Sequence, residues 1–283
     1  MNHPFSPSEV PSLCLQDQVR TLAFKSAIEH LVRPGDVVVD AGAGSGILTF
    51  FAARAGAKQV LAVEANELLC QILETNVTRN GFDGVIQVIH GDVREVDLPK
   101  NVDIVVAEMI ETWLLDEHQV PALDTLRRKQ VVSQETTVIP KSYDGRIAFG
   151  NLPFDFYGFG LKFPLHYWPD LKSEKSWLPL NYLEMTDEMD VFSVDFKKIT
   201  SSKFRRKLEV VSRFDGEINV VRLFGIAHLG GEEFLQDTVT FNGDKLLPIH
   251  PTRIKKGQCF EVLIQGDCGS DAGLLDLQIS IQV

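Results

Sequence analysis

The chain has 283 residues, enough for one large domain or two ordinary ones, and its 44% hydrophobic and 24% charged residues are the proportions of a soluble globular protein. Its 28 Lys and Arg stand against 39 Asp and Glu, a formal charge of −11, so the surface repels nucleic acid and favours cationic partners, although solubility alone accounts for such acidity equally well. No apolar run approaches the length of a membrane span, and Met1–Pro11 is polar and proline-rich, unlike a signal peptide.

Pro4, Pro7 and Pro11 make the N-terminus an arm rather than an element. From Leu13 to Val32 the residues Leu15, Val19, Leu22, Ala23, Ala27 and Leu31 recur at helical spacing, and Pro34-Gly35 closes that helix. Cys14, Cys70, Cys259 and Cys268 form no C-x-x-C pair and no framework, which fits reduced thiols in a cytoplasm. Val37–Val39 has the stiffness of a buried parallel strand and runs into Asp40, Gly42, Gly44 and Gly46. A helix follows at once with Ile47, Leu48, Phe50, Phe51 and Ala55 on one face, stopped by Gly56. Val60–Val63 is a second strand ending in Glu64, Leu68–Asn80 a helix stopped by Gly81, Val85–Ile89 a third strand leading to Gly91-Asp92-Val93, and Val102–Ala107 a fourth ending at Glu108. This alternation closes near Ile139-Pro140.

Beyond Pro140 short alternating runs replace helical periodicity: Ser193–Phe196, Leu208–Val211, Ile218–Phe224, Val239–Phe241, Cys259–Ile264 and Leu275–Val283. Turn residues separate them, as in an antiparallel sandwich or barrel. Phe154–Leu180, rich in aromatics and proline and including Trp168 and Trp177, reads as a projecting arm, a domain-crossing loop or an irregular cover for the core.

Strand, glycine loop and helix open a doubly wound sheet whose ligand lies outside the carboxyl ends of its strands. The glycines fall as G-x-G-x-G rather than G-x-G-x-x-G, with Ile47 at the position of the third dinucleotide glycine. Glu64 can take both ribose hydroxyls, and no lysine-bearing phosphate cradle is present. The pattern suits a nucleoside without phosphates and resembles the first motif of class I S-adenosylmethionine-dependent methyltransferases.

The second signal is the stretch Glu108–Glu117, where Glu108, Glu111, Asp116 and Glu117 stand among Met109, Trp113, Leu114 and Leu115. Carboxylates crowded into an apolar site call for a cation, and a guanidinium with five donors in a fork answers two of them. An exposed acidic turn before a helix accounts for the same spacing.

With these motifs in place the chain resembles the protein arginine methyltransferases over most of its length. Asp17-Gln-Val-Arg20-Thr21 is similar to the family's acid-x-x-Arg-Thr helix, Val38–Gly46 and Leu61–Glu64 to its cofactor motifs, and Gly91–Pro99 to its adenine loop. Glu108 and Glu117 match the double-glutamate loop, Ile139-Pro140 the start of the barrel, and Tyr157-Gly-Phe159 the dimerisation arm. The resemblance implies S-adenosyl-L-methionine as cofactor, with Arg20 on its carboxylate. Asp40, Gly42, Gly44 and Gly46 would shape the pocket, Glu64 would hold the ribose, and Asp92 and Val93 would lie at the adenine. Glu108 and Glu117 would grip a guanidinium and leave lone-pair density facing the sulfonium methyl for in-line displacement.

Departures from the family are specific. Its Thr-His-Trp loop aligns with Val239-Thr240-Phe241, so its histidine is absent; His228 and His250 are substitutes only if they are more than strand or loop residues. Ile110-Glu111-Thr112 replaces Met-Gly-Tyr, so Glu111 meets the α-amino group of a small substrate or faces water. Glu111, Trp113 and Thr240 form the expected substrate set. Cys14 stands for a methionine beside the transferred methyl, and Arg94 for an acid at the adenine amino group. The tyrosine motif that folds over the cofactor is absent, with Phe5 and Phe24 as replacements.

The expectation is an α/β protein: an arm and helix over residues 1–36, a Rossmann-like methyltransferase domain over 37–140, and an antiparallel β-barrel or sandwich over 141–283. An arm at about 154–180 would make a homodimer. The expected reaction is N-methylation of a guanidinium, on peptide arginine or on a small guanidine, in a cytoplasmic protein with no metal, nucleic acid or membrane partner. Methylation of a small amine is the alternative within the class, and binding without turnover the alternative outside it.

Overall fold

The computed structural model describes residues 9–167, 180–199 and 201–282. Its parallel sheet runs in the order β3-β2-β1-β4-β5, with β1 at Val37–Ala41, β2 at Gln59–Glu64, β3 at Ile86–His90, β4 at Ile104–Ala107 and β5 at Thr137–Ile139. The β-branched run Val37–Val39 makes β1 the middle strand, where Asp40 pairs with Ala62 of β2 and Val106 of β4. Strands covered on both faces read as continuous apolar runs, and α3 (Ile47–Arg54) and α4 (Glu67–Arg79) are among the helices that cover these. The strand order reverses at β1, which opens a ligand crevice beyond the carboxyl ends of β1 and β4. The helix α5 (Gln119–Arg128) follows the acidic loop.

Two expectations for the N-terminal region are corrected. The helical pattern beginning at Leu13 is two helices, α1 (Glu9–Gln16) and α2 (Gln18–Leu31), and Pro11 lies within α1 rather than in an irregular arm. Asp17 interrupts the run: extended itself, it restarts the helix by accepting the Arg20 amide at 3.1 Å. The inner face of α2 (Phe24, Ala27 and Ile28) is buried in one core with β1 and with Ala227, Leu229 and Phe241 of the following half, so α2 bridges the two.

From Ser142 the sheets are antiparallel. A small hairpin pairs β7 (Asp155–Phe156) with β8 (Phe159–Gly160). A seven-stranded sheet joins β6 (Ser142–Asn151), β9 (Leu165–Tyr167), β10 (Leu183–Glu184), β11 (Met189–Asp195), β13 (Gly216–Gly230), β14 (Glu233–Leu235) and β15 (Asp244–Ile254). A three-stranded sheet joins β12 (Lys203–Val211), β16 (Cys259–Asp267) and β17 (Gln278–Gln282). Ile147, Phe149, Val221 and Leu223 of the larger sheet share a core with Val210, Phe260, Val262 and Ile264 of the smaller. The molecule is thus mixed α/β, with its antiparallel sheets in a second unit.

Val239–Phe241, expected as a strand, is a turn. The Thr238 amide donates to the Phe241 carbonyl at 2.8 Å, the Phe241 amide to Thr238 Oγ1 at 3.1 Å, and Asn242 takes a φ of 52°. Of the expected arm, the β7–β8 hairpin projects through Tyr157 and Gly158, whose φ values of 57° and 84° suit the turn that matches strand twist. Residues 168–179, with Trp168 and Trp177, lie outside the described residues, as does Phe5. All four cysteines are free, and no helix among the described residues is long and apolar enough to cross a membrane.

Candidate active site

The crevice is built first from the glycine loop. Gly42, Gly44 and Gly46 have φ values of 82°, 54° and 81°, which only glycine adopts at no cost, and a Cβ on Gly46 would run into Leu73 of α4. Glu64, the last residue of β2, ties the loop down by accepting the Gly44 amide at 2.8 Å and the Asn66 amide at 2.7 Å. Pro11 of α1 stands 3.7 Å from where a Gly44 Cβ would be, and Met109 3.4 Å from that of Gly42, so α1 and the acidic loop wall the crevice. Thr49 Oγ1 donates to Asp40 at 2.5 Å; burial, with the charge of Glu64 adding to it and Thr49 opposing it, raises Asp40 to about 6. In the loop after β3 Val93 is buried, and Arg94 grips Asp92 through Nε at 3.0 and 3.1 Å and Nη2 at 2.5 Å. That grip holds Asp92 below the usual carboxylate range.

Arg20 stands at the centre. Its guanidinium is buried, ion-paired with Glu108, and donates from Nη1 to the Cys14 carbonyl at 3.4 Å. Its Nε is a buried donor that meets no acceptor among the described residues. Burial lowers its pKa below the usual arginine value, against the pull of Cys14, Asp17, Glu117 and Asp40. Among the described residues Arg20 pairs directly with Glu108 alone, and Asp17, Asp40 and Glu117 lie within its longer-range field. Asp17 also receives Thr240 Oγ1 at 2.8 Å, the Thr240 amide at 3.1 Å and the Thr238 hydroxyl. Burial works against its charge, but the bonds from Thr238, the Arg20 amide and Thr240 hold Asp17 below the usual range. Thr240 thus secures the start of α2. His228 is engaged elsewhere, with Nε2 2.8 Å from Asp144 of β6.

The acidic loop is clamped to the second sheet. Trp113 and Leu114 hold φ values of 67° and 56°, strained for bulky residues. The surroundings enforce this. Trp113 Nε1 donates to the carbonyls of Arg146 at 2.8 Å and Phe224 at 2.9 Å, its amide donates to Tyr143 Oη at 2.9 Å, and Thr112 Oγ1 bonds the Gly243 carbonyl. Gln119 closes the loop from below, accepting the Met109 amide at 3.0 Å and donating to the Ala107 carbonyl at 2.7 Å.

Two members of the expected substrate set are corrected here. Trp113 is fully buried in the antiparallel core and offers a substrate no surface. Glu111 is engaged within the protein: Lys245 of β15 pairs with it and with Asp116, and the Leu115 and Asp116 amides donate to its other oxygen. Burial works against the charge of Lys245, yet Glu111 and Asp116 raise its pKa and keep it cationic. Lys245 and Gln119 are the residues that sequence reasoning missed. A lysine leading the apolar run Leu246-Leu247 was the available signal.

Of the four loop carboxylates, Glu108, Glu111 and Asp116 thus have internal cations. Glu117 has none: among the described residues no hydrogen bond or ion pair reaches it, and burial raises its pKa to about 7 against the longer-range fields of Arg20 and Lys245.

Known proteins resemble the chain in part of its sequence and in its fold. A family model for the TRM5/TYW2 methyltransferase domain matches residues 19–142. An uncharacterized protein of Methanocaldococcus jannaschii is 27% identical over 244 residues, 86% of each chain. The probable protein arginine N-methyltransferase 6.1 of Oryza sativa subsp. indica is 43% identical over 117 residues, 41% of this chain and 31% of its own. Protein arginine N-methyltransferase 1 of Dictyostelium discoideum is 41% identical over 121 residues, 42% of this chain and 35% of its own. The matched region spans only about a third of the Oryza sativa and Dictyostelium discoideum relatives. The solved Trypanosoma brucei PRMT1 enzyme-prozyme heterotetrameric complex with AdoHcy contains a chain of the same fold, with a TM-score of 0.72 and 18% identity over 95% of both chains.

Proposed function

We propose that the chain is a divergent, protein arginine methyltransferase-like class I S-adenosylmethionine-dependent methyltransferase and that it methylates a guanidinium nitrogen. The observation that carries this reading is the charge arrangement around Arg20. Arg20 pairs with Glu108 while Asp17, Asp40 and Glu117 share its field, and Glu117 has no ion pair with any described residue. Such a site attracts a second cation, and two carboxylates converging on one region suit a planar fork of donors better than a point charge.

The residues present fit the cofactor. Arg20 Nε, buried and without an acceptor among the described residues, would take the carboxylate of its methionine part. The Cβ-free faces of Gly42 and Gly44 let a nucleoside approach, and Glu64 at the end of β2 lies beside them for the ribose. Asp92 and Val93 border the adenine end. When bound, S-adenosylmethionine supplies a methyl group on a sulfonium, already an activated donor. The protein's part is positioning and electrostatics. Glu117 ionises on meeting the guanidinium, while Glu108, steadied by Arg20, accepts from its other edge. Together they draw positive charge towards their own side and leave the opposite nitrogen richer in electron density. The proton released on transfer passes to a carboxylate or to solvent.

The substrate belongs to the cationic guanidines, whether an arginine in a peptide or a small molecule, and the enzyme itself assembles as a homodimer. Turnover with labelled S-adenosylmethionine tests the reaction, offering free arginine, agmatine, an arginine-rich peptide and the matched primary amines lysine and cadaverine separately. Label on a guanidine is expected, and lost in Glu117→Gln. Label on amines alone would replace this reading with amine methylation. Cofactor binding with no label on any acceptor would favour a protein that binds without turnover.

A further inference from the structure

We propose that a second cavity, at the far end of α2 from Arg20, binds an organic anion with an apolar body. The cavity has a volume of about 950 Å³, ample for a small ligand. It lies where the two halves of the molecule meet. Its lining comes from Leu31, the last residue of α2; from Arg127 of α5, the loop into β5 and β5 itself; from Lys141 before β6; from the end of β11 and the turn after it; and from Gly230, which ends β13, with Gly231 beyond it.

Its position separates it from the glycine loop. Thr137, in the wall, pairs with Ile104 at the start of β4, whereas Glu108 follows the end of that strand. Along α2 the cavity and Arg20 are some 15–20 Å apart at about 1.5 Å per residue.

The lining has two characters. Leu31, Val132, Val138 and Ile199 give an apolar floor, and the last three are buried. Gly230 keeps that wall thin, since a Cβ there would stand 2.7 Å from Leu31 Cδ1. Around it stand four cations, Arg127, Lys141, Lys197 and Lys198, against one acid, Asp195. Arg127 is shared with Asp124 and Lys198 with Asp195, at 2.9 and 3.4 Å. The side chains of Lys141 and Lys197 make no ion pair or hydrogen bond with a described residue.

In a chain of formal charge −11, such a concentration of positive charge around an apolar hollow selects against cations and for an anionic head on a hydrocarbon body. The apolar body occupies the floor by excluding water, and the lysines take the head. The head is a carboxylate or a phosphate, and the experiment distinguishes them.

Isothermal titration calorimetry of the whole chain with octanoate, octyl phosphate, inorganic phosphate and octylammonium tests this. Saturable binding of one or both octyl anions is expected, and which of them binds more tightly identifies the head. Inorganic phosphate should bind at least about tenfold more weakly, because it lacks the buried methylenes. The double reversal Lys141→Glu/Lys197→Glu should weaken the octyl anions by about tenfold or more while S-adenosylhomocysteine binding is retained. Should that variant fail to fold, Lys197→Gln alone should still weaken them measurably. No binding of either anion, equal binding of octylammonium or of inorganic phosphate, or affinity unmoved by the lysine substitutions would overturn the proposal.

Discussion

Glu117 carries no ion pair, and burial raises its pKa to about 7. Only the ionised carboxylate can grip a guanidinium, so kcat/KM should climb about tenfold per pH unit below that value and level off above it. Glu117→Gln should abolish the climb and cost about 10²-fold or more in kcat, leaving S-adenosylhomocysteine affinity near normal in calorimetry. Weaker cofactor binding with normal turnover would contradict the role. The same group shapes stability with the opposite sense. Its folded pKa lies above the unfolded 4.5, so the folded state holds the extra proton between those values and stability falls as pH rises through that window. Lys245 sets a second test at this scale. Lys245→Met leaves Glu111 buried with no cation and should cost about 3 kcal/mol in denaturant melts. Adding Glu111→Gln should recover part of that loss, and simple additivity of the two substitutions would show that the pair does not couple. The carboxylates themselves were legible in the sequence as a cluster needing a cation. What was not legible was that the protein supplies two cations itself, because Lys245 and Arg20 reach the loop across long stretches of chain.

At the scale of elements, the acidic loop and α2 are held in place by contacts that local patterning does not encode. The apolar spacing from Leu15 to Leu31 continues through Asp17, so periodicity alone reads one helix where the cap makes two. Val239–Phe241 alternates like a strand, yet its backbone turns because Thr238, Thr240 and Asp17 bind one another across the two halves. The parallel sheet was easier to read, because β1, β2 and β4 are short apolar runs that lead into a glycine or an acid. Asp17→Ala should show the cost of losing this junction: about 1 kcal/mol for the cap alone, and more once Thr238 and Thr240 lose their acceptor. Trp113→Phe tests the loop. It keeps most of the buried ring but deprives the Arg146 and Phe224 carbonyls of their shared donor, with an expected loss of about 1–3 kcal/mol. If the strained turn positions Glu108 and Glu117, kcat should fall in this variant while affinity for S-adenosylhomocysteine holds. A loss confined to stability would leave the loop without that positioning role.

For the whole molecule the issue is what covers its exposed apolar surface. Leu13 and Leu15 stand out from α1, and Val19 and Leu22 from the side of α2 opposite Phe24 and Ile28; Val19 is 66% exposed. The β7–β8 hairpin ends in Tyr157, 86% exposed, with Phe159, Leu161 and Phe163 exposed beside it. Grouped surfaces of this kind mark interaction sites rather than ordinary solvent faces. Two such surfaces on one chain can satisfy each other in a twofold dimer, the hairpin of one protomer lying on α1 and α2 of its partner. Charge opposes that assembly, since each chain carries −11. Apolar burial must therefore drive it, and salt should tighten it by screening the repulsion. Val19→Glu/Leu22→Glu and, separately, Tyr157→Ser/Phe159→Ser should each shift the sedimentation coefficient from dimer to monomer. Both pairs are exposed, so the fold should be kept. A dimer that survives both changes would place the interface elsewhere; a wild-type chain that sediments as a monomer at every salt concentration would leave these surfaces to a different partner. Because α2 also carries Arg20, loss of the dimer should loosen its outer face and weaken S-adenosylhomocysteine binding in the α2 variants, an effect that rising protein concentration partly reverses.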